Sequence, residues 1–243
     1  MKQGLFTIIE NVPIADKVMK MRLRGDLSAI TAPGQFVNIK IDGLYLRRPI
    51  SVCDAEDDIL TLIYKVVGTG TEIMSGMQSG TLDLLTGLGN GYALDLCGDA
   101  PLLLGGGVGV PPLYMLAKSL IRRGKKVYAV LGFNKKSDVF YEDEFRTLGV
   151  DTTVVTADGS YGKHGFVTDS LPSDYTYFYT CGPEPMLHAV YEKTNTSGQF
   201  SFEKRMGCGF GACMGCSCKT ITGYKRICKE GPVLTKEEIL WEK

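Results

Sequence analysis

Four of the eight cysteines of this 243-residue chain lie within eleven positions, in the run Gly207-Cys208-Gly209-Phe210-Gly211-Ala212-Cys213-Met214-Gly215-Cys216-Ser217-Cys218, and a further one follows at Cys228. Thiols this crowded need a chemical reason, and the backbone that carries them must bend round whatever they hold. The spacing Cys208-x4-Cys213-x2-Cys216 fits a 2Fe–2S cluster, which takes its fourth thiolate from further along the chain. Cys228 is the natural fourth ligand, with Cys218 competing for the position. Gly207, Gly209, Gly211 and Gly215 supply tight curvature without the cost of a Cβ, and they let amide N–H groups approach the sulfurs. Two other readings of these thiols stay open. Structural zinc favours two separate pairs of close cysteines, whereas here one knuckle is followed by Cys218 and Cys228. A disulfide staple is opposed by residues 1–12, which lack the basic-then-apolar layout of a secretory signal.

Charge narrows the rest. With 27 basic and 27 acidic residues and no block of either sign, the chain has no electrostatic footprint for nucleic acid. Residues 100–117 carry no charge, approaching the length of a membrane span. Gly105, Gly106, Gly107, Gly109, Pro111 and Pro112 break the middle of that stretch, so a buried strand, a turn and a helix are expected there. A soluble, cytoplasmic protein with no membrane segment is the expectation.

The pattern divides the chain into three, at 1–97, 98–199 and 200–243. Up to about residue 94, short apolar runs at 6–9, 18–23, 36–41 and 59–67 are separated by Pro, Gly, Asp and Asn at the spacing of an all-β barrel or sandwich. From Asp99 the rhythm becomes strand, glycine turn, helix over 110–121, Gly124 as a helix stop, and strand over 127–132. Helices over 139–148 and from Pro183, with extended runs at 152–156 and 175–180, continue the alternation and imply a parallel sheet covered by helices. In the tail, Thr235-Lys236-Glu237-Glu238 is a capping box expected to open a last helix, with Trp241 docking back onto the chain. The glycine turn Gly105-Gly106-Gly107-Val108-Gly109-Val110-Pro111 offers backbone N–H groups to a pyrophosphate. It lacks the strict dinucleotide fingerprint, which would place a glycine at 110 and an acid about twenty residues on; close helix–strand packing explains such a turn equally well. His164 and His188 stand beside no nucleophile and read as structural, and Cys53 and Cys97 read as packing residues.

Three motifs in fixed order, Arg48-Pro49-Ile50-Ser51, the glycine turn, and Thr180-Cys181-Gly182-Pro183-Glu184-Pro185-Met186, resemble the ferredoxin-NADP reductases and their relatives over residues 1–200. The cysteine module, introduced by Glu203-Lys204-Arg205-Met206-Gly207-Cys208-Gly209, narrows the resemblance to the electron-transfer subunits of the class 1B dihydroorotate dehydrogenases, now over the whole chain. The resemblance implies an α+β multidomain fold: an antiparallel β-barrel for FAD, a parallel-sheet α/β domain for NAD, and a small 2Fe–2S module. It implies that Arg48 neutralises the FAD pyrophosphate, a use suited to an always-charged fork, and that Pro49, Ile50 and Ser51 line the flavin, with Ser51 at the ring edge. Ile50 stands where the broader reductases carry a flavin-stacking Tyr. Ile63, Tyr64, Lys65, Gly70 and Thr71 match further FAD contacts; Gly107, Gly109, Cys181, Gly182 and Pro183 match the nicotinamide surface; Cys208, Cys213, Cys216 and Cys228 match the cluster ligands.

A nicotinamide exchanges two electrons at once and a cluster exchanges one, so a flavin between them reconciles the counts. No acid–base pair for dihydroorotate oxidation stands out, which suits a subunit that only conducts. The resemblance implies a catalytic partner carrying FMN and a heterotetramer of two plus two. Two rivals are the flavin and 2Fe–2S small subunit of an NADH-dependent ferredoxin or sulfide reductase, and a zinc-stabilised redox-sensing regulator. Lys135 and Lys136 leave NAD against NADP open.

Overall fold

The computed structural model describes residues 1–241. Period-two burial builds the first domain. In β6 (Thr81–Leu88), Leu82, Leu84, Thr86 and Leu88 are buried and their neighbours are not, the signature of a strand with one face on a core. β1 (Lys2–Ala15), β2 (Val18–Arg24), β5 (Ile59–Lys65), β4 (Arg48–Glu56), β3 (Phe36–Ile39) and β6 close, in that order, into an antiparallel barrel. Closure removes the exposed edges that an open sheet would have to protect. Met21, Leu23, Val37, Ile39, Leu60 and Leu62 fill it, each wholly buried. The short helix α1 (Thr69–Ser75) follows β5; Gly68 just before it and Gly70 in its first turn read as turn signals, which is why the helix is not expected from the residues alone.

The second domain is a seven-stranded sheet in the order β10, β9, β8, β7, β11, β12, β15. Its strands are β7 (Pro101–Gly106), β8 (Tyr128–Phe133), β9 (Asp151–Thr156), β10 (Lys163–His164), β11 (Tyr177–Cys181), β12 (Gly198–Ser201) and β15 (Val233–Thr235). All neighbours are parallel except β12 and β15. Alternate residues of the central strands feed two cores. Leu103, Ala129, Leu131, Val154 and Tyr179 face one side, with α2 (Pro112–Arg122) and barrel residues Val18, Cys53 and Ile63. Leu102, Leu104, Val130, Val155 and Phe178 face the other, with α4 (Glu184–Lys193) and the cluster-module residues Cys216, Ile227 and Cys228. The sheet is thus the common floor on which barrel and module sit. α2 buries Leu113, Leu116, Ala117 and Leu120, one helical stripe, and stops at Gly124, whose φ of +74° suits the residue after a helix. Its Lys118 reaches Asp54 (2.7 Å) and Glu56 (3.0 Å) of β4, tying the two domains together.

Two expected helices change. The helix over 139–148 shrinks to α3 (Glu142–Thr147), because Phe140 turns into the core and Tyr141 takes a φ of +67° at its start. The capping box at Thr235 is present, yet it opens only a single 3-10 turn, Lys236–Glu238. β13 (Ser217–Thr220) and β14 (Gly223–Arg226) form a hairpin, and Ile239 bridges to Thr220 while the Ile221 amide donates to the Glu238 carbonyl. Sheet pairing takes the backbone groups that a helix would need. Trp241 does dock back, edge-on to His188 with ring centres 5.0 Å apart and against Tyr191 and Phe202. Among the described residues no helix is long and apolar enough to cross a membrane.

Candidate functional site

In the sheet, chain order reverses between β7 and β11: successive strands run from β7 to β10 one way, and β11 lies on the other side. A crevice at the carboxyl ends of two such strands is where open α/β sheets take their ligands. Those ends are the glycine turn and Cys181, and Gly105 pairs in register with Cys181. A cavity of about 820 Å³ opens there. Its walls come from three regions: Phe36, Pro49, Ser51 and Lys65 of the barrel; Gly107, Gly109, Cys181, Gly182 and Pro183 of the sheet; and Phe202, Glu203, Lys204, Met206 and Pro232 of the C-terminal segment.

The glycines of the turn do different work. A Cβ on Gly109 would lie 2.2 Å from the Cys181 carbonyl oxygen, and one on Gly106 would lie 2.5 Å from the Met186 sulfur. These two positions need glycine for packing. Gly107, with φ at +52°, has nothing within 4 Å of where a Cβ would stand, so its backbone faces open cavity. Cys181 is half-buried, and desolvation pushes its thiol up to about 12 despite the Ser201 hydroxyl beside it, with the Glu203 carboxylate pushing the same way. The group facing the cavity is therefore a neutral thiol.

On the barrel, the Arg48 guanidinium lies across Gly70, where a Cβ would fall 2.1 Å from its Nε. The Thr71 hydroxyl accepts the amide N–H of Val67 at 3.0 Å and that of Gly68 at 3.3 Å, holding this turn closed. Arg48, Gly70 and Thr71 therefore form one surface outside the cavity wall. Ile50 is half-buried against the barrel core, while its neighbours Pro49 and Ser51 take the wall. Ile63 points into the core shared with the sheet and Tyr64 into the barrel, its hydroxyl donating to Asn11 Oδ1 at 3.0 Å. The side chains of Ile63 and Tyr64 are committed to packing, and of that trio only Lys65 reaches the cavity.

The cysteine loop has two sides. The Cys208 thiol contacts Cys213, and the Cys228 thiol contacts Cys216. Cys213 is exposed and Cys208 half-buried, whereas Cys216 and Cys228 are buried in the second core. Desolvation opposes ionisation of Cys208, yet amide N–H groups of Cys213, Phe210 and Ala212 outweigh it and bring the thiol down to about 6. Burial, then the neighbouring Cys216 thiol, pushes Cys228 up to about 12. Such a buried thiol ionises readily only against a cation, which iron would supply when bound. All eight cysteines are free. Among the described residues no three His, Cys, Asp or Glu groups converge as a single metal ion requires. Two contacting pairs fit instead a donor set shared between two irons, two thiolates to each. Cys218, on β13, faces Lys204 and Lys225.

Comparison with known proteins agrees with this geometry. Residues 203–240 match the iron–sulfur cluster binding domain of dihydroorotate dehydrogenase B, and residues 103–192 match the oxidoreductase NAD-binding domain. The electron transfer subunit of dihydroorotate dehydrogenase B (NAD(+)) from Geobacillus sp. is 43% identical over 256 residues, covering 99% of each chain. The same subunit from Fusobacterium nucleatum is 44% identical over 251 residues, covering 96% of each. The chain belongs to the electron transfer subunits of dihydroorotate dehydrogenase B. This chain shares its fold with a solved NADH-dependent reduced ferredoxin-NADP oxidoreductase, at TM-score 0.87 and 30% identity over 98% of this chain and 90% of that one. A ferredoxin NADP+ reductase from Neisseria gonorrhoeae, at TM-score 0.69 and 17% identity over 79% of this chain and 90% of that one, shows the fold alone. As a member of the dihydroorotate dehydrogenase B family the chain is an oxidoreductase subunit, and the expected FAD, 2Fe–2S and NAD accord with that membership.

Several wall residues carry no motif. Asn134, Asp138, Phe166 and Thr168 also line the cavity, and Phe166 is 68% exposed. An aromatic after Gly165, whose φ is +132°, was the available signal. Glu203 and Met206 were visible only as the preface to the cysteines.

Proposed function

We propose that this chain conducts electrons from the FMN of a catalytic dihydroorotate dehydrogenase subunit to NAD+, within a cytoplasmic assembly of two catalytic and two electron-transfer subunits. One observation carries the reading: barrel, strand ends and cluster module all contribute walls to a single cavity. FAD, when bound on the barrel, exchanges electrons in pairs with a nicotinamide and singly with a cluster. Arg48, over the bare Cα of Gly70, neutralises the FAD pyrophosphate, and Pro49, Ser51 and Lys65 present the barrel wall to the flavin. The open backbone at Gly107 receives the nucleotide phosphates, while Gly109 lets the turn close on Cys181. The neutral Cys181 thiol and Pro183 bound the nicotinamide, and Phe202 and Met206 keep water from the reacting face. Cys208, Cys213, Cys216 and Cys228 hold the cluster, with Cys208 and Cys213 on its outward side.

NAD is favoured over NADP. Lys135 is paired with Asp16 at 3.3 Å and Lys136 lies 5.8 Å from the Tyr161 ring centre, while the Asp138 carboxylate stands at the wall and opposes a 2′-phosphate. The test is co-purification with a candidate catalytic subunit, followed by dihydroorotate-driven reduction of NAD+. Reduction that needs both chains supports the proposal. A chain that instead passes electrons from NADH to a ferredoxin, with no response to dihydroorotate, supports the second reading, which the likeness to the NADH-dependent oxidoreductase motivates.

A further inference from the structure

Beyond the glycine turn the cavity continues past the ends of the next two strands, at Gly132 and Asn134 of β8 and at Ala157 just after β9. Strand order puts that stretch on the side of β7 away from Cys181. A dinucleotide with its nicotinamide at Cys181 and its phosphates at Gly107 therefore carries its adenosine there. Residues 165–168 line the same cavity, and one side chain holds them in place. The Asp169 carboxylate accepts the Phe166 amide N–H at 2.9 Å, while the Asp169 amide donates to the Phe166 carbonyl at 2.9 Å. Both main-chain polar groups of Phe166 are thus committed to Asp169, and its ring stays exposed at the wall. Val167 is buried over β8, where a Cβ on Gly132 would lie 2.6 Å from its Cγ1. Gly165 has φ at +132°, and a Cβ there would lie 2.9 Å from Asp169 Oδ2, so glycine lets the carboxylate reach the amide. The second oxygen, Oδ1, accepts Lys193 Nζ at 3.1 Å from the end of α4. That pair is open to solvent, at 54% and 44% side-chain exposure, and an exposed ion pair is worth less than an amide bond to a charged acceptor. The Phe166 amide also comes before Lys193 in holding the Asp169 carboxyl below its ordinary value.

We propose that Asp169 is a positioning residue for the adenosine half of the dinucleotide. It fixes the Phe166 segment as a preformed wall and does not itself line the cavity, so its effect on the ligand passes through the loop. This rests on the nucleotide reading given above. A wall ordered before the ligand arrives spares the ligand the entropy of ordering it.

The experiment uses the holo chain, with NADH-to-dye activity through the flavin as the assay. Two fragments separate the halves of the substrate: ADP-ribose, a competitive inhibitor with the adenosine half alone, and reduced nicotinamide mononucleotide, a hydride donor without it. Asp169→Ala is expected to raise the ADP-ribose inhibition constant and the NADH KM about tenfold. The kcat with NADH and the kcat/KM of the mononucleotide should stay within about twofold of wild type. Asp169→Asn keeps an oxygen for the Phe166 amide and loses the ion pair, so its constants should lie within about threefold of wild type. Gly165→Ala displaces the carboxylate with Asp169 intact and should copy Asp169→Ala; it carries the test if Asp169→Ala does not fold. An unchanged ADP-ribose constant, a loss shared equally by both fragments, or an Asp169→Asn variant as weak as Asp169→Ala overturns the proposal while leaving the nucleotide reading intact. A wild-type chain whose NADH oxidation ADP-ribose does not inhibit overturns both.

Discussion

The nucleotide side and the cluster side of the cavity are built in opposite ways. At the strand ends, parallel pairing and fully buried apolar rows fix the backbone before any ligand arrives, and Gly106 and Gly109 are glycine because neighbouring atoms leave no room. The cysteine loop, residues 207–216, contains no regular strand or helix. It is held by N–H bonds to sulfur, by Arg226, whose Nη1 donates to the Gly211 carbonyl at 2.6 Å, and by Asn38. One half is a preformed receptor; the other would be completed by the metal it holds, since metal binding and folding are coupled. Damage to one half should therefore spare the other.

The largest effect is expected from Cys216→Ser. Iron and acid-labile sulfide per chain should fall to near zero, and dihydroorotate-driven NAD+ reduction should vanish, while NADH-to-dye activity through the flavin persists. Loss of both activities would mean that the two halves fold as one. Gly109→Ala should do the converse. Its Cβ meets the Cys181 backbone at 2.2 Å, an overpacking worth about 1–3 kcal/mol, so NADH affinity should drop about tenfold or more with cluster content unchanged. Asp138→Asn sharpens the comparison within the nucleotide half: the NADPH to NADH activity ratio should rise at least about tenfold, with dihydroorotate activity through NAD+ largely kept.

The smallest effect concerns the tie between domains. Lys118, then Arg122, hold the Glu56 carboxyl below its ordinary value by hydrogen bonds. A depressed carboxyl contributes stability that is full above its unfolded value of about 4.3 and is lost as pH falls through the folded value. Glu56 is exposed, so Glu56→Gln should cost only about 0.5 kcal/mol at neutral pH and should flatten the acid limb of the melting-temperature profile.

The cysteines were legible because cluster chemistry dictates their spacing, and the barrel and the βαβ rhythm were legible because burial imposes periods on sequence. What contacts cross the chain left no local trace. Asn38 lies 170 residues from Cys208 and sits in a strand whose pattern looks ordinary. Gly109 reads as part of a phosphate turn, yet its own constraint is the backbone of a strand over seventy positions away. Tyr64 belongs to a motif associated with flavin, but its ring is packed inside the barrel and its hydroxyl is spent on Asn11. The tail obeyed its capping box for one turn and then paired with the hairpin, a tertiary choice that propensity cannot foresee.

The most direct measurement is anaerobic rapid mixing of the isolated holo chain with NADH, followed at flavin and cluster wavelengths together. Flavin bleaching should come first and cluster bleaching second, each with an NADH-dependent or intramolecular rate of its own. Cluster reduction that precedes or bypasses the flavin, or a chain with neither chromophore, would contradict a route in which the barrel's cofactor stands between metal and nucleotide.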